Sequence, residues 1–277
     1  MTINCRGTLI DLSTPKVMGI LNLTPDSFYD GGKYSGEQAI LGQVEKMLND
    51  GVTFIDIGAY SSRPGANHVP EAEELKRLLP ILQSILKNFP DALISIDTFR
   101  SKVASESLQL GAAIINDISA ANLDVEMLNV IAQHQVPYIM MHLKGTPQSM
   151  QKRVVYDDLL KDLLFFFSEK INNATSKKIN DIIIDPGFGF AKTTAQNYIL
   201  LNHLDLFQTF KVPILIGLSR KSMVYKILRS TPKEALNGTT ALHTIALLKG
   251  ANILRVHDVK EAHECIKLIN ELKANGL

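Results

Sequence analysis

The sequence predicts a (β/α)8 TIM barrel, a closed ring of eight parallel strands with helices outside, preceded by a short N-terminal β-hairpin. Eight short, apolar, β-branched runs recur along the chain, and a longer amphipathic segment follows each run. Such runs are typical of strands buried on both faces, and strands that alternate with helices imply a parallel sheet. Eight units favour a closed barrel over the alternative, an open doubly wound sheet. Because this barrel typically takes about 250 residues, we expect one domain over residues 1–277.

The predicted strands recur along the whole chain, and the predicted helices lie between them. Residues 4–16 precede the first strand, and we expect them to form a hairpin across the bottom of the barrel. Segment 71–89 places Leu75, Leu78, Leu79, Leu82 and Leu86 on one stripe, which is typical of an amphipathic helix. Segments 159–171 and 258–272 behave likewise. The predicted strands cover residues 17–21, 53–58, 93–98, 113–117, 138–142, 182–185, 214–218 and 253–257.

Composition excludes several classes of protein. A formal net charge of +1 gives no large basic field for nucleic acid or an anionic membrane. No apolar run approaches the roughly 20 residues of a membrane span, and the first residues lack a signal-peptide pattern, so we expect a cytoplasmic protein. Cys5 and Cys265 share no metal or redox spacing. Cys265 falls in a helical pattern, where we expect it to act as a small buried hydrophobe.

Unusual polar residues collect where the predicted strands end. In a barrel of this kind, active sites form from the loops that follow the strands. Chance would spread such residues over both ends of the strands and over the helices. The pattern therefore predicts a single ligand site at this end. The residues are Asn22, Ser61, Ser62, Arg63, Asp97, Asn116, His142, Asp185, Ser219, Arg220, Lys221, Arg255 and His257.

Arg255 and His257 are two residues apart in a strand, so their side chains point to the same face. Two donors aimed at one place fit an anion such as a phosphate. We expect Lys221, Arg63 and Ser62 to converge there as well. The alternative is a pair between Arg255 and a carboxylate that closes the barrel mouth.

Asp97, Asn116 and Asp185 form a second set. A buried carboxylate is costly unless it has very good partners, so this set suggests a ligand that donates paired hydrogen bonds. A guanidine-like N–H and NH₂ edge suits an aspartate that accepts two hydrogen bonds. The alternatives are a two-carboxylate metal site and internal pairing with Lys221.

Two loops after the first and second strands, residues 22–32 and 58–65, are polar and interrupted by glycine and proline. We predict that they are mobile lids over the site. The alternative is that they are ordinary surface loops.

The order of motifs at these strand ends closely resembles that of the dihydropteroate synthases, pterin-binding enzymes of folate biosynthesis, over nearly the whole chain. One motif alone would be weak, but eight in the right order are very specific. They are Met18-Gly-Ile-Leu-Asn-Leu-Thr-Pro-Asp-Ser-Phe28 with Asp30-Gly-Gly32, Asp56-Ile-Gly with Ser61-Ser-Arg-Pro-Gly65, Ile96-Asp-Thr, Ile115-Asn-Asp, Met141-His142 with Gly145-Thr-Pro147, Asp185-Pro-Gly-Phe-Gly-Phe190, Gly217-Leu-Ser-Arg-Lys-Ser222 and Arg255-Val-His257.

The second loop departs from the family. The family usually reads Gly-Gly-Glu-Ser-Thr-Arg-Pro-Gly, whereas this chain reads Gly58-Ala-Tyr-Ser-Ser-Arg-Pro-Gly65. Ser62 keeps the hydroxyl of the usual threonine. Tyr60 replaces the usual glutamate, so a role assigned to that glutamate is in doubt here.

The resemblance implies a transferase that joins (7,8-dihydropterin-6-yl)methyl diphosphate to 4-aminobenzoate and releases 7,8-dihydropteroate and diphosphate. It also implies Mg²⁺, a homodimer with the outer face of residues 233–250 and of the segment from Asp258 at its interface, and a target of sulfonamide-type analogues. Neither nucleic acid nor membrane is expected as a partner. The alternatives are a pterin-dependent methyltransferase barrel, which has no diphosphate to hold, and a non-catalytic pterin-binding paralogue.

The resemblance also implies a division of the site residues, with Lys221 shared between sub-sites. We expect Asp97, Asn116, Asp185 and Lys221 to bind the pterin. Asn22, together with Mg²⁺, and Ser62, Arg63, Arg255 and His257 are expected to hold the diphosphate, with Asn22 as the metal ligand. Phe28, Ser62, Pro64, Phe190, Lys221 and Ser222 are expected to bind 4-aminobenzoate, and Asp26, Arg63 and Lys221 are expected to be catalytic.

Overall fold

The computed structural model describes residues 1–23, 33–60 and 68–276 of the chain. The chain begins with an antiparallel hairpin of β1 (Thr2–Cys5) and β2 (Thr8–Asp11). Its two-residue turn, Arg6 and Gly7, has φ angles of 53° and 83°. Positive φ at both positions is characteristic of the type I′ turn, whose twist matches that of the flanking strands. The predicted hairpin is therefore present, although it starts two residues earlier than the sequence suggested.

Eight parallel strands form the barrel, which confirms the predicted fold class. In space they run in the order β8-β7-β6-β5-β4-β3-β10-β9. A parallel bridge between Ile184 and Ile214 joins the two ends of this series, and the Ile184 N–H donates to the Pro213 carbonyl at 3.0 Å. The strands are β3 (Lys16–Asn22), β4 (Phe54–Gly58), β5 (Leu93–Asp97), β6 (Ile114–Asp117), β7 (Tyr138–Met141), β8 (Ile182–Asp185), β9 (Leu215–Ile216) and β10 (Ile253–Val256).

Helices connect the strands and surround the barrel. Two of them begin with side-chain caps: the Asp158 carboxylate accepts from the Lys161 N–H, and Thr193 with Gln196 forms a capping box. Within the described ranges, no helix combines the length and apolar character needed to cross a membrane. The helices are α1 (Lys33–Asn49), α2 (Glu71–Asn88), α3 (Ser101–Leu110), α4 (Met127–His134), α5 (Leu159–Ser176), α6 (Thr194–Asn202), α7 (Ser222–Tyr225), α8 (Leu236–Leu248) and α9 (Val259–Ala274).

The buried stripe of α2 differs from the prediction. Leu78 and Leu82 are buried as expected, but Leu75, Leu79 and Leu86 are only half-buried. The rest of the buried face is made by Glu74, Ile81 and Ile85. The helix is rotated toward this face because the Glu74 carboxylate is drawn into the core, where it pairs with the Arg100 guanidinium and accepts from the Thr98 hydroxyl at 2.8 Å.

The hairpin covers the N-terminal end of the barrel, as the sequence predicts. Ile3, Cys5 and Leu12 are buried there against the early residues of the strands. An apolar plug at this end leaves the opposite end for polar side chains, where the loops after the strands gather. Cys265 of α9 is also buried, in agreement with its predicted role. The strand residues beneath the hairpin are Met18, Phe54, Ile114, Ile139, Ile183, Leu215 and Ile253.

Candidate active site

Arg255 lies in the barrel mouth between two carboxylates. Its Nε donates to Asp56 Oδ2 at 2.6 Å, and its Nη2 donates to Asp97 Oδ2 at 2.7 Å. Asn116, which pairs with Asp97 in the register of β5 and β6, donates from Nδ2 to the same Asp56 oxygen at 3.0 Å. One polar cluster thus joins the four strands β4, β5, β6 and β10. This pairing is the carboxylate alternative weighed for Arg255, and its role toward diphosphate stays a prediction.

Asp56 is the residue to which the sequence analysis gave no role. It is completely buried on β4. Burying a carboxylate in the middle of an apolar strand costs free energy unless the carboxylate is paired. The aspartate within the apolar run 54–58 was therefore the sequence signal that could have identified Asp56 as a site residue. In the described part of the chain no group donates to Asp56 Oδ1. A ligand or water that donates to this oxygen would remove the cost of leaving it unsatisfied.

Burial and charge act in opposite directions within this cluster. Burial raises the pKa of Asp97 above its ordinary value, and the Arg255 guanidinium opposes that rise. Burial disfavours the charged form of Arg255, but Asp56 and Asp97 outweigh it and raise the pKa of the guanidinium. Arg255 therefore stays a cation, and its charge favours the ionised form of Asp97 against the effect of burial.

Asp185 and Lys221 lie on either side of the loop after β8. Asp185 Oδ1 accepts from the Gly187 N–H at 2.8 Å. Burial raises the pKa of Asp185, whereas the Lys221 cation lowers it. The Lys221 Nζ donates to the Phe188 carbonyl and lies 4.5 Å from the centre of the Phe190 ring. Burial lowers the pKa of Lys221 to about 8, with Asp185 opposing the change.

The loop ends after β9 and β10 are also connected. The Ser219 Oγ is 3.0 Å from His257 Nδ1, and the His257 backbone N–H donates to Ser219 Oγ at 3.2 Å. Arg220, by contrast, makes two hydrogen bonds to the Asp258 carboxylate at 2.8 and 2.6 Å. Since its Nη1 also donates to the carbonyls of residues 232 and 233, Arg220 holds the base of these loops together.

Tyr60, the departure from the family pattern, is buried at the start of the second loop. Its hydroxyl accepts from Gln148 Nε2 at 2.7 Å, and its ring meets the Phe99 ring edge-on at 5.1 Å between centroids. The Arg100 guanidinium lies 5.3 Å from the Tyr60 ring centroid and donates to the Val69 carbonyl at 2.6 Å. An apolar and cation–π environment thus surrounds the position that usually carries a glutamate.

The remaining predicted residues fall into two groups. Asn22 ends β3 with its side chain exposed and lies opposite Gly58 in the register with β4. Ser222 is the first residue of α7 and is half-buried. Outside the described residues lie Asp26, Phe28, Ser62, Arg63 and Pro64.

We predict that Asp56→Ala lowers the free energy of unfolding by about 3 kcal/mol, because removing one partner of a buried ion pair leaves the other uncompensated. Urea unfolding measures the effect. The matched control is Glu73→Gln, which removes an exposed i,i+4 pair with Arg77 and should change stability by less than about 0.5 kcal/mol. Equal stability of the two variants would contradict the prediction.

Comparison with known proteins agrees with this geometry. The model of a family described as pterin binding enzymes matches residues 18–257. The dihydropteroate synthase of Escherichia coli K12 is 41% identical over 271 residues, which are 97% of this chain and 95% of that protein.

Two crystal structures are also similar to this chain. The Yersinia pestis dihydropteroate synthase in a sulfonamide drug complex has a TM-score of 0.92 and 42% identity, and the match covers 99% of this chain and 100% of that one. The Xanthomonas albilineans dihydropteroate synthase with 4-aminobenzoic acid has a TM-score of 0.91 and 36% identity, over 99% and 98% of the two chains. With its strand-end cluster and this full-length similarity, the chain belongs to the dihydropteroate synthase family of pterin binding enzymes.

Proposed function

We propose that the chain joins (7,8-dihydropterin-6-yl)methyl diphosphate to 4-aminobenzoate and releases 7,8-dihydropteroate and diphosphate. As a member of the dihydropteroate synthases, it is a transferase of folate biosynthesis. The observation that carries the proposal is the gathering of carboxylates, an amide and two cations at one end of the barrel. The sulfonamide and 4-aminobenzoic acid complexes of its relatives support the second substrate.

The pterin is proposed to bind against Asp97, Asn116, Asp185 and Lys221. The pterin ring has an amidine-like edge that donates N–H and NH₂ hydrogen bonds, and Asp185 is suited to accept from it. One Asp185 oxygen is already oriented by the Gly187 N–H, which fixes the carboxylate before the ligand arrives. Lys221 then donates to the ring carbonyl or to a ring nitrogen, while Asp97 and Asn116 contact the rest of the ring.

The diphosphate is proposed to bind to Asn22, Ser62, Arg63, Arg255 and His257. The ion pairs with Asp56 and Asp97 use Nε and Nη2 of Arg255, which leaves Nη1 to donate to a phosphate oxygen. Asn22 supplies an exposed amide oxygen, a hard ligand that suits Mg²⁺. Mg²⁺ usually keeps several waters and binds substrate phosphates, so a single protein ligand fits it. When bound, the ion neutralises part of the charge on the leaving diphosphate.

The 4-aminobenzoate site is proposed to consist of six residues around the loops. The Lys221 ammonium above the Phe190 ring supports its placement, because a cation and an aromatic face next to each other suit a benzoate ring with its carboxylate. The six residues are Phe28, Ser62, Pro64, Phe190, Lys221 and Ser222.

The chemistry is proposed to be a dissociative substitution at the methylene carbon. The bond from this carbon to the diphosphate oxygen breaks first, and the electron-rich pterin ring stabilises the positive charge that is left. The neutral arylamine nitrogen then forms the new bond and afterwards loses its proton, so no strong general base is needed. Asp26 is proposed to stabilise the cation, Arg63 and Lys221 to help the charges separate, and His257 to act as an anion donor.

We predict that diphosphate release requires both substrates and Mg²⁺. A coupled phosphate assay after pyrophosphatase treatment, combined with chromatography of the pteroate product, measures the reaction. Release from the pterin substrate alone would reject the condensation. Binding of both substrates without release would favour the non-catalytic paralogue, and transfer of a methyl group would favour the methyltransferase.

We predict that Asp185→Asn abolishes tight pterin binding, because the asparagine NH₂ group is a donor and would face a donor of the amidine-like edge where the carboxylate has a second acceptor oxygen. In the unchanged protein, burial raises the pKa of Asp185, so affinity should be present above that pKa and fall as the pH drops through it. Calorimetric titration over a pH series tests both statements. Asp205→Asn, at an exposed ion pair with Lys249, is the control and should bind normally. Retained affinity in the Asp185 variant would contradict the assignment.

We also propose a homodimer through the outer face of α8 and α9. This face exposes Ile245, Leu248, Leu268 and Leu272 beside a groove of about 620 Å³. Contiguous exposed apolar surface of this kind is typical of protein interfaces.

Light scattering should give about twice the 30.6 kDa of one chain, by the commonest symmetry of oligomers. Leu268→Glu, at a side chain that is 73% exposed, should shift the mass toward the monomer, whereas Phe165→Glu on α5 should leave it unchanged. A monomer in the unchanged protein would overturn the proposal.

The organisation as one domain over residues 1–277 and a cytoplasmic location remain proposals. The first is supported by the way the hairpin and the eight strands share one apolar plug. The second is supported by the sequence pattern alone.

A further inference from the structure

Lys192 is a buried lysine just after the loop that follows β8, and it is not among the residues proposed to contact a substrate. Its side chain is only 4% exposed. The Nζ donates to the Gly187 carbonyl at 3.0 Å and to the Phe190 carbonyl at 3.1 Å. The third contact, at 3.1 Å, is with His142 Nδ1. An ammonium has three N–H donors, so these three acceptors satisfy it completely.

When Lys192 is an ammonium, its donation to Nδ1 fits a neutral His142 with the ring proton on Nε2. Burial lowers the pKa of His142 well below its ordinary value, and the Lys192 and Lys144 cations lower it further. Burial also lowers the pKa of Lys192 to about 7, while Asp185 opposes the change and Lys221 adds to it. The acceptors around Nζ and the Asp185 carboxylate favour the ammonium form of Lys192, whereas burial and the Lys221 cation oppose it.

The loop held by Lys192 is the same loop that contacts Lys221. Its Gly187 and Phe190 carbonyls face Lys192, while the Phe188 carbonyl between them faces Lys221. The backbone of this loop has little conformational freedom at Gly187. The φ angle of Gly187 is +74°, and a Cβ there would lie 2.3 Å from the His142 carbonyl oxygen. A change in the contacts on the Lys192 side must therefore move the carbonyl and the Phe190 ring on the Lys221 side.

Lys192 also acts on Asp185 through charge. The carboxylate feels three cations, Lys221, Arg255 and Lys192, and each of them favours its ionised form against burial. Of these three, Lys221 and Arg255 are proposed to touch substrate, whereas Lys192 is turned toward the loop and His142. In its ammonium form Lys192 therefore acts on Asp185 without having to contact a substrate.

We infer that Lys192 is a positioning residue for the pterin and aminobenzoate sites: it fixes the loop that presents the Phe188 carbonyl and the Phe190 ring to Lys221, and its ammonium form places a positive charge behind Asp185. The inference rests on the proposed function of this site. It assigns no contact between Lys192 and either substrate.

The test is Lys192→Met, which keeps the length of the side chain and removes its charge and donors. Pterin affinity by calorimetry should fall about tenfold, as expected for the loss of hydrogen bonds from a charged donor. KM for 4-aminobenzoate should rise, because Phe190 and Lys221 are displaced. The acid limb of pterin affinity should move to higher pH, because Asp185 has lost one of its three cations.

A purely structural role for Lys192 predicts a different result: a lower melting temperature with unchanged affinity and pH profile in the folded protein. That result would overturn the inference. Lys170→Met is the control, since Lys170 is half-buried on α5 and donates to Asn122 Oδ1 at 2.5 Å. It should leave affinity, KM and the pH profile unchanged.

If the Lys192 variant does not fold, His142→Leu removes one of the three acceptors and leaves both carbonyls in place. It should raise KM for 4-aminobenzoate and weaken pterin binding severalfold, and wild-type values in this variant would reject the inference. A wild-type protein that makes no dihydropteroate rejects the proposed function itself. An active wild-type protein with an unaffected Lys192→Met variant rejects only the role of Lys192.

Discussion

The barrel mouth depends on the Arg255 guanidinium, which lies between two buried carboxylates. Asp56 and Asp97 come from neighbouring strands, and without this cation the two negative charges would lie unpaired in a dry interior. Asn116 completes the set by donating to the same oxygen of Asp56. The geometry of the proposed pterin site is therefore fixed by internal ion pairs before any ligand arrives, which is the kind of preorganisation that binding sites require.

Carboxylates and basic side chains also lie close together around the loop after β8. Three carboxylates at this end of the barrel, Asp56, Asp97 and Asp185, lie near three basic side chains, Arg255, Lys221 and Lys192. Under the proposed function, a diphosphate would bring further negative charge to this end of the barrel. This is a physical reason for the donors and the divalent cation that are proposed to hold it.

Tyr60 shows how a departure from the family pattern is accommodated. Its ring contacts both the Phe99 ring and the Arg100 guanidinium, and its hydroxyl accepts from Gln148 of the loop after β7. Because Arg100 also donates to the Val69 carbonyl, the residues on both sides of the second loop are tied to one guanidinium. An uncharged aromatic ring can occupy this position because Glu74 already neutralises Arg100.

The sequence by itself determined the fold, the hairpin and the end of the barrel that carries the site. It could do so because apolar periodicity is a local property, and because parallel strands bring their C-terminal residues to one edge. The placement of Asn116 and Asp97 side by side follows from the same rule.

Only the tertiary structure decided which groups pair. Asp56 and Lys192 gave no local signal that named their partners, since Arg255 and His142 are distant from them in the chain. The rotation of α2 was likewise set by a contact with Arg100 on another element. Long-range electrostatic pairing depends on the distances between side chains in space, and the periodicity of a sequence carries no information about those distances.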